Sequence, residues 1–272
     1  EFPGGKTGSY TTPETVRNVA TYAFLNCKLT TATISSNVSS IGPYAFYQCT
    51  NLTSVSIAGS VSNLDHTFMS CSSLTNAALS PTITNIGHSV FNSCSRLTGI
   101  TLPTSLLGIG TSAFQYCASL GTIAIPRYVK SIETGAFMGC TNLQSITVDA
   151  ANQNYSCSAD GVLFDKLQTT LIQFPPGQFP GSYTIQDSVT NIATYAFFYS
   201  VGLTDIIIGK NVRIIGSYAF QNCLALRTIA MSSSVTNIGS FAFANCQSLD
   251  SVNISTHVRT IGMYAFRNCS SL

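Results

Sequence analysis

Charged side chains are scarce in this chain of 272 residues: they make up 8% of it, and the formal net charge is only +2. A field this weak does not favour nucleic acid or an anionic membrane surface as a partner. The chain has no tryptophan, and no apolar run approaches the roughly 18 residues that a membrane-spanning helix needs. We therefore expect no nucleic-acid partner and no direct membrane insertion of this segment.

Histidine is equally scarce, which limits the chemistry available. His66 and His88 occupy equivalent repeat positions near Asp65, but this pattern supplies no fixed third metal ligand. His257 stands alone, and no Ser/His/Asp or Cys/His set can be assembled from three histidines at turn positions. We predict no catalytic residue, no metal site and no cofactor, and expect that the protein is not an enzyme.

No Cys-x-x-Cys pair occurs among the ten cysteines, which argues against zinc-ribbon and thioredoxin-like sites. Nine of them lie three residues after a regularly spaced phenylalanine, Cys157 lies off the pattern, and Ser200 replaces cysteine in one unit. A cysteine that follows the packing period is a small buried hydrophobe. We predict a ladder of free thiols, with one or two bridges between adjacent coils as the alternative.

A repeated pattern, I-G-x-x-A-F-x-x-C-x-x-L, dominates the sequence and is seen in full at residues 215–226. Its phenylalanines follow one another at steps of 22 or 23 residues, apart from one gap of 60. They are Phe24, Phe46, Phe68, Phe91, Phe114, Phe137, Phe197, Phe220, Phe243 and Phe266. A period in the twenties predicts a repeat solenoid, in which each unit stacks only on its neighbours.

Each unit contains short segments rich in β-branched residues, which predict strands, and Gly or Pro residues that mark corners. The A-F-x-x-C-x-x-L segment has the spacing of a single helical turn. The predicted coil of about 23 residues therefore holds short strands and one helical turn, with Leu, Ile, Phe, Ala and Cys pointing inward.

We predict a single solenoid over residues 1–272, interrupted at 149–184 by an irregular inserted unit. Two apolar runs in the insertion, 162–164 and 171–174, flank a polar turn and predict a β-hairpin. Residues 3–11 parallel residues 176–184, an offset of 173 that Phe24 and Phe197 share. We therefore expect this chain to be a segment of a longer array.

Units such as L-G-T-I-A-I-P-R-Y-V-K-S-I at residues 120–132 resemble BspA-like leucine-rich repeats, and 160–164 resembles the irregular unit of that family. The resemblance covers nearly the whole chain. It implies a leucine-rich-repeat solenoid on a cell surface or secreted, as in mucosal anaerobic bacteria and protists. It also implies adhesion to host extracellular matrix, mucin or a cell-surface protein or glycan, without catalytic residues.

Aromatic residues recur two positions before the repeat phenylalanine in the last four units: Tyr195, Tyr218, Phe241 and Tyr264. Stacked aromatic side chains offer amphipathic contact area at low entropic cost. With Arg213 and Arg259 in the same units, they form the candidate binding surface. Two alternatives remain open: the rings only cover the coil edge, or the whole array is a structural spacer without a ligand of its own.

Overall fold

The computed structural model describes residues 7–178 and 181–272. Residues 3–6, 179 and 180, which belong to the sequence parallel at offset 173, lie outside the described residues. Within the described ranges every regular element is a β-strand and no helix is present. The chain forms two compact units, one of residues 1–140 with 148–154 and one of residues 141–147 with 155–272.

The strands are short, and most have only two to four residues. They are β1 Thr7–Thr11, β2 Asn18–Val19, β3 Lys28–Ile34, β4 Ser40–Ile41, β5 Ser54–Ile57, β6 Asn63–Leu64, β7 Asn76–Ala78, β8 Asn85–Ile86, β9 Gly108–Ile109, β10 Thr122–Ile125, β11 Ser131–Ile132, β12 Ser145–Val148, β13 Tyr155–Cys157, β14 Leu163–Asp165, β15 Thr170–Gln173, β16 Gly181–Thr184, β17 Asn191–Ile192, β18 Leu203–Ile207, β19 Ile214–Ile215, β20 Thr228–Ala230, β21 Asn237–Ile238, β22 Ser251–Val252 and β23 Thr260–Ile261.

In the first unit, parallel sheets join equivalent strands of successive coils. The order β1-β3-β5-β7 forms one sheet, and β6-β8-β9-β11 and β2-β4 form two others. Neighbouring strands pair with a step of one repeat, as Thr31 with Ser54 and Asn85 with Gly108. Side chains alternate between the interior and solvent, so that Ile123 and Ile125 of β10 are buried whereas Thr122 is exposed.

The second unit repeats this arrangement in the parallel sheet β16-β18-β20-β22. Its other sheet runs β13-β14-β15-β17-β19-β21-β23, where β13, β14 and β15 pair antiparallel and the remaining strands pair parallel. The antiparallel strands lie in the region 149–184, and β15 carries the sheet from there into the regular coils. The predicted repeat solenoid with coils of about 23 residues is confirmed.

The repeat phenylalanines form the spine of each core. In the first unit, successive rings from Phe24 to Phe137 stack with centroids 4.6 to 5.7 Å apart. In the second unit, the stack begins at Phe174 and continues to Phe266 at 4.6 to 5.3 Å. Phe174 was not predicted as a spine residue because it lies in the irregular inserted unit. It is nevertheless one 23-residue step before Phe197.

The segment around each spine phenylalanine is a series of hydrogen-bonded turns and not the predicted helical turn. The amide of Gln221 donates to the carbonyl of Tyr218 at 3.2 Å, whereas that of Phe220 donates to Ala242 in the next coil at 2.7 Å. Tyr218 and Asn222 have φ angles of 59° and 63°. A right-handed helix needs negative φ, so a left-handed residue every four positions prevents it.

The glycine that follows the repeat isoleucine lets successive coils approach closely. A Cβ atom on Gly239 would lie 2.4 Å from the backbone nitrogen of Ser217, and one on Gly216 would lie 2.7 Å from the carbonyl carbon of Ala193. Such distances are closer than any side chain tolerates, so this corner of the coil requires glycine.

The repeat cysteines lie along the core as free thiols, and all ten cysteines of the chain are unbridged. From Cys49 onward, each repeat thiol donates to the carbonyl of the spine phenylalanine one coil earlier, as Cys223 Sγ does to Phe197 at 3.2 Å and Cys246 Sγ to Phe220 at 3.2 Å. Burial raises the pKa of Cys140 and of Cys223 to about 12. These thiols are therefore protonated at neutral pH.

Candidate binding surface

The four aromatic residues of the candidate surface form one continuous row in the second unit. Ring centroids are 4.9 Å apart between Tyr195 and Tyr218, 5.0 Å between Tyr218 and Phe241, and 5.1 Å between Phe241 and Tyr264. The first two pairs are stacked, with planes 19° and 5° from parallel, and the third is tilted by 45°. We refer to these four residues as the aromatic row.

Stacking decides which parts of the rings remain available. Tyr195, Tyr218 and Phe241 are half-buried, and Tyr264 is 54% exposed. Neighbouring rings cover each other's faces inside the row, so contact with a partner is limited to ring edges and to the hydroxyls of Tyr218 and Tyr264. A partner that needs an open aromatic face finds one only at an end of the row.

Every member of the aromatic row has a left-handed backbone, with φ between 56° and 64°. This conformation is uncommon for bulky residues and costs roughly 1–2 kcal/mol each relative to right-handed backbone. Gly135 occupies the same repeat position in another coil with φ 68° and avoids that cost. The rings are therefore retained at a position where glycine would be less strained.

The two predicted arginines lie on a neighbouring part of the same coils. The amide of Arg213 donates to Thr190 at 2.8 Å and that of Arg259 to Thr236 at 2.7 Å, and both side chains are exposed. The guanidinium of Arg267 lies over a ring of the row, with its Cζ 5.4 Å from the Tyr264 ring centroid. Arg267 therefore joins the candidate surface.

A row of asparagine amides, which the sequence reasoning missed, accompanies the aromatic row. Asn245 Nδ2 donates to Asn222 Oδ1 at 2.7 Å, and Asn268 Nδ2 donates to Asn245 Oδ1 at 2.9 Å. All three residues have positive φ, between 58° and 63°. The signal was available, because asparagine tolerates this backbone and recurs two positions after the spine phenylalanine.

The first unit has a shorter version of the same row at Tyr22, Tyr44 and His66, and His88 lies one position before the equivalent residue Ser89. Tyr22 and Tyr44 stack at 5.3 Å, Tyr44 and His66 at 4.5 Å, and His66 and His88 lie 6.3 Å apart. His66 Nδ1 is 3.3 Å from Asp65 Oδ2. No group of three or more His, Cys, Asp or Glu side chains suited to a metal ion occurs within residues 7–178 and 181–272.

In the described part of the chain, no helix has both the length and the apolar character to cross a membrane.

Parallel coils, a phenylalanine spine and repeat-aligned surface rows define a repeat protein of the leucine-rich-repeat class. The model of the family described as BspA type leucine rich repeat region matches residues 2–67, 64–175 and 181–272. The chain therefore belongs to this family, as its repeat units predicted. The comparison with curated proteins gave no match.

Solved bacterial structures have the same fold. A leucine rich cell surface protein from Faecalibacterium prausnitzii is 28% identical, with a TM-score of 0.78 over 99% of this chain and 81% of that chain. The pneumococcal vaccine antigen PcpA is 22% identical, with a TM-score of 0.82 over 100% of this chain and 72% of that chain. A leucine-rich repeat protein from Eubacterium ventriosum is 20% identical, with a TM-score of 0.59 over 89% and 83%.

Proposed function

We propose that this chain is a binding and adhesion module, displayed on a cell surface or secreted. Its partner is host extracellular matrix, mucin, or a cell-surface protein or glycan, bound through repeat-aligned faces. Membership of the BspA type family and 28% identity to a bacterial cell surface protein over nearly the whole chain support the location. The partner is the one that the family resemblance implies, and the surface chemistry described below supports it.

The aromatic row carries this proposal. Four adjacent coils keep a large ring at a left-handed position where glycine would be less strained. Backbone strain of this kind persists where the surroundings or a function maintain it. Contiguous aromatic surface is also uncommon on a protein exterior unless a partner uses it.

The kind of contact follows from the geometry. Tyr218 is half-buried and Tyr264 is exposed, so both offer ring edges and hydroxyls to a partner, and the asparagine amides lie in the same coils. These groups form neutral hydrogen bonds and apolar contacts at a spacing of about 5 Å. Affinity arises from many shallow contacts of one kind, which fit a repetitive partner such as a glycan chain or an extended protein surface.

A structural spacer is the second candidate. The parallel stacking of Tyr218 on Phe241 favours it, because rings whose faces are covered already stabilise the coil edge without a ligand. In that case the strain at φ 59° is balanced by stacking alone.

Binding of the purified chain to immobilised mucin, fibronectin and epithelial cells distinguishes the two functions. The binding module is expected to retain most of its affinity when salt is raised, because the chain has few charges and the aromatic row itself is uncharged. A spacer binds none of these surfaces at any salt concentration. An interaction that disappears in high salt would contradict the aromatic row as the contact surface.

A further inference from the structure

The first two coils hold a pair of thiols whose sulfurs lie in direct contact. Cys27 Sγ and Cys49 Sγ lie 2.8 Å apart. This distance is only about 0.8 Å longer than a disulfide bond. Both side chains are buried, with 3% of Cys27 and 0% of Cys49 exposed.

The next thiols along the chain have a backbone carbonyl as their partner. Cys49 Sγ donates to the Phe24 carbonyl at 2.9 Å, and Cys71 Sγ donates to the Phe46 carbonyl at 3.1 Å, each one coil earlier. The carbonyl equivalent for Cys27 would belong to residues 1–2, which lie outside the described residues. In the described part of the chain, the sulfur of Cys27 meets the sulfur of Cys49.

The backbone holds the two cysteines at a separation that a disulfide can span. The amides of Phe24 and Asn26 donate to Ala45 and Tyr47 of the next coil, at 2.7 and 2.9 Å, so the two coils run side by side. Hydrogen-bonded neighbouring chains lie about 4.8 Å apart. A disulfide accepts Cα separations of roughly 4.4–6.8 Å. Coils that lie at this spacing are compatible with a disulfide between Cys27 and Cys49.

The Cys27 side of this pair lies next to the protein surface. Cys27 lines an open hollow on the surface together with Asn26, Lys28, Gln48 and Thr50. The Lys28 ammonium beside the hollow favours approach of an anionic disulfide such as oxidised glutathione. The first sulfur to react is therefore that of Cys27.

We propose that Cys27 and Cys49 form a disulfide that joins the first two coils when the folded chain meets a low-molecular-weight disulfide. The Cys27 thiolate attacks one sulfur of the reagent and forms a mixed disulfide, and the displaced thiolate takes up a proton. The Cys49 thiolate then displaces the second half of the reagent. Two protein thiols are oxidised, one reagent disulfide is reduced, and the two thiol protons end on the two released thiols.

The reaction is expected to accelerate as the pH rises. The hydrogen bond with Cys49 and burial raise the pKa of Cys27. For Cys49, the bond from Cys27 lowers the pKa, but the contact with Cys71 and burial outweigh it and raise the pKa to about 12. Only a small fraction of either thiol is ionised at neutral pH, so the disulfide forms slowly there.

The test uses the full chain, incubated in the folded state with oxidised glutathione at neutral pH and at a pH of about 8.5, near the pKa of a free thiol. Thiols are counted after denaturation, and linked peptides are identified by mass spectrometry. We expect the loss of two thiols, a mass lower by two hydrogens, a Cys27–Cys49 linked peptide, and faster formation at the higher pH.

The variants separate this pair from the rest of the ladder. Cys27→Ser and Cys49→Ser should each abolish the linkage, and Cys71→Ser is the matched control that should retain it. Ser200 occupies the position equivalent to Cys27 in the second unit, so Cys27→Ser is expected to fold. Ten free thiols after incubation at the higher pH, a linkage at Cys71, or Cys27 held only as a glutathione adduct would each overturn the proposal.

Discussion

The amide of Phe220 donates to the carbonyl of Ala242 in the next coil at 2.7 Å, while the Phe220 ring stacks on Phe243 with centroids 5.1 Å apart. One residue thus binds the next coil through its backbone and its side chain at once. The same pair of contacts recurs along both units, for example from Phe91 to Ala113 and Phe114. Stability should therefore depend on contacts between neighbouring coils.

The spine predicts the cost of removing a ring. Phe114 is completely buried and stacks at 5.4 and 5.7 Å on Phe91 and Phe137. Phe114→Ala should lower the free energy of unfolding by about 3–5 kcal/mol, because it leaves a cavity between two rings. Chemical denaturation measures the change. Phe266→Ala is the control, since Phe266 is only half-buried, and an equal loss for both variants would refute the spine as the main support.

The second prediction concerns the glycine at the coil corner, where the backbones of neighbouring coils approach closely. Gly239→Ala would place a Cβ 2.4 Å from the Ser217 nitrogen, so neighbouring backbone must move. We expect a loss of about 1–3 kcal/mol, as for other overpacked sites. Gly99→Ala is the matched control, because no atom lies within 4 Å of its added Cβ, and its stability should be almost unchanged. Equal melting of the two variants would contradict the close approach of the coils.

Ser200 marks a local defect in the thiol ladder. Its Oγ is buried and has no hydrogen-bond partner among the described residues. The Phe174 carbonyl, the equivalent of the usual acceptor, already accepts from Gln173 Nε2 at 2.8 Å. Ser200→Cys and Ser200→Ala should both raise the free energy of unfolding by about 1–3 kcal/mol, because each removes an unsatisfied buried hydroxyl. Destabilisation by both variants in thermal melting would show that the hydroxyl has a partner.

The thiols predict how stability depends on pH. Burial raises the folded-state pKa of Cys140 and Cys223 from 9.0 to about 12. Their contribution to stability is thus complete below pH 9 and is lost as the pH rises from 9 towards 12, because the unfolded chain releases these protons first. Each thiol contributes a slope of up to about 1.4 kcal/mol per pH unit in that range. Denaturation curves of wild type and Cys140→Ala should converge as the pH rises, and parallel curves would contradict the shift.

How much the sequence predicted depends on which contacts follow the repeat. The spine rings, the buried thiols and the corner glycine follow its period, so the solenoid was predictable. The prediction of a helical turn was wrong. Gly135 and Gly139, four residues apart, occupy the two left-handed positions of their coil and were the available signal against a helix. Phe174 was missed because antiparallel strands precede it. The sequence could not show that the Tyr218 ring stacks on Phe241 instead of pointing into solvent, because both orientations give the same repeat spacing.

The aromatic row provides the most direct test of the proposed function, through the double variant Tyr218→Gly with Tyr264→Gly. Glycine retains the left-handed backbone, as Gly135 does naturally, so the change removes the rings without new backbone strain. Tyr22→Gly with Tyr44→Gly is the matched control, because it removes two stacked rings from the first unit.

The decisive measurement is the affinity of these two variants and of wild type for mucin, fibronectin and epithelial cells, with thermal melting recorded in parallel. We expect the Tyr218/Tyr264 variant to lose at least about tenfold in affinity, equivalent to 1.4 kcal/mol, with a melting temperature no lower than that of the control. The control should bind like wild type. Wild-type affinity in the Tyr218/Tyr264 variant would contradict the aromatic row as the contact surface. So would a loss of binding in both variants that parallels a fall in their melting temperatures.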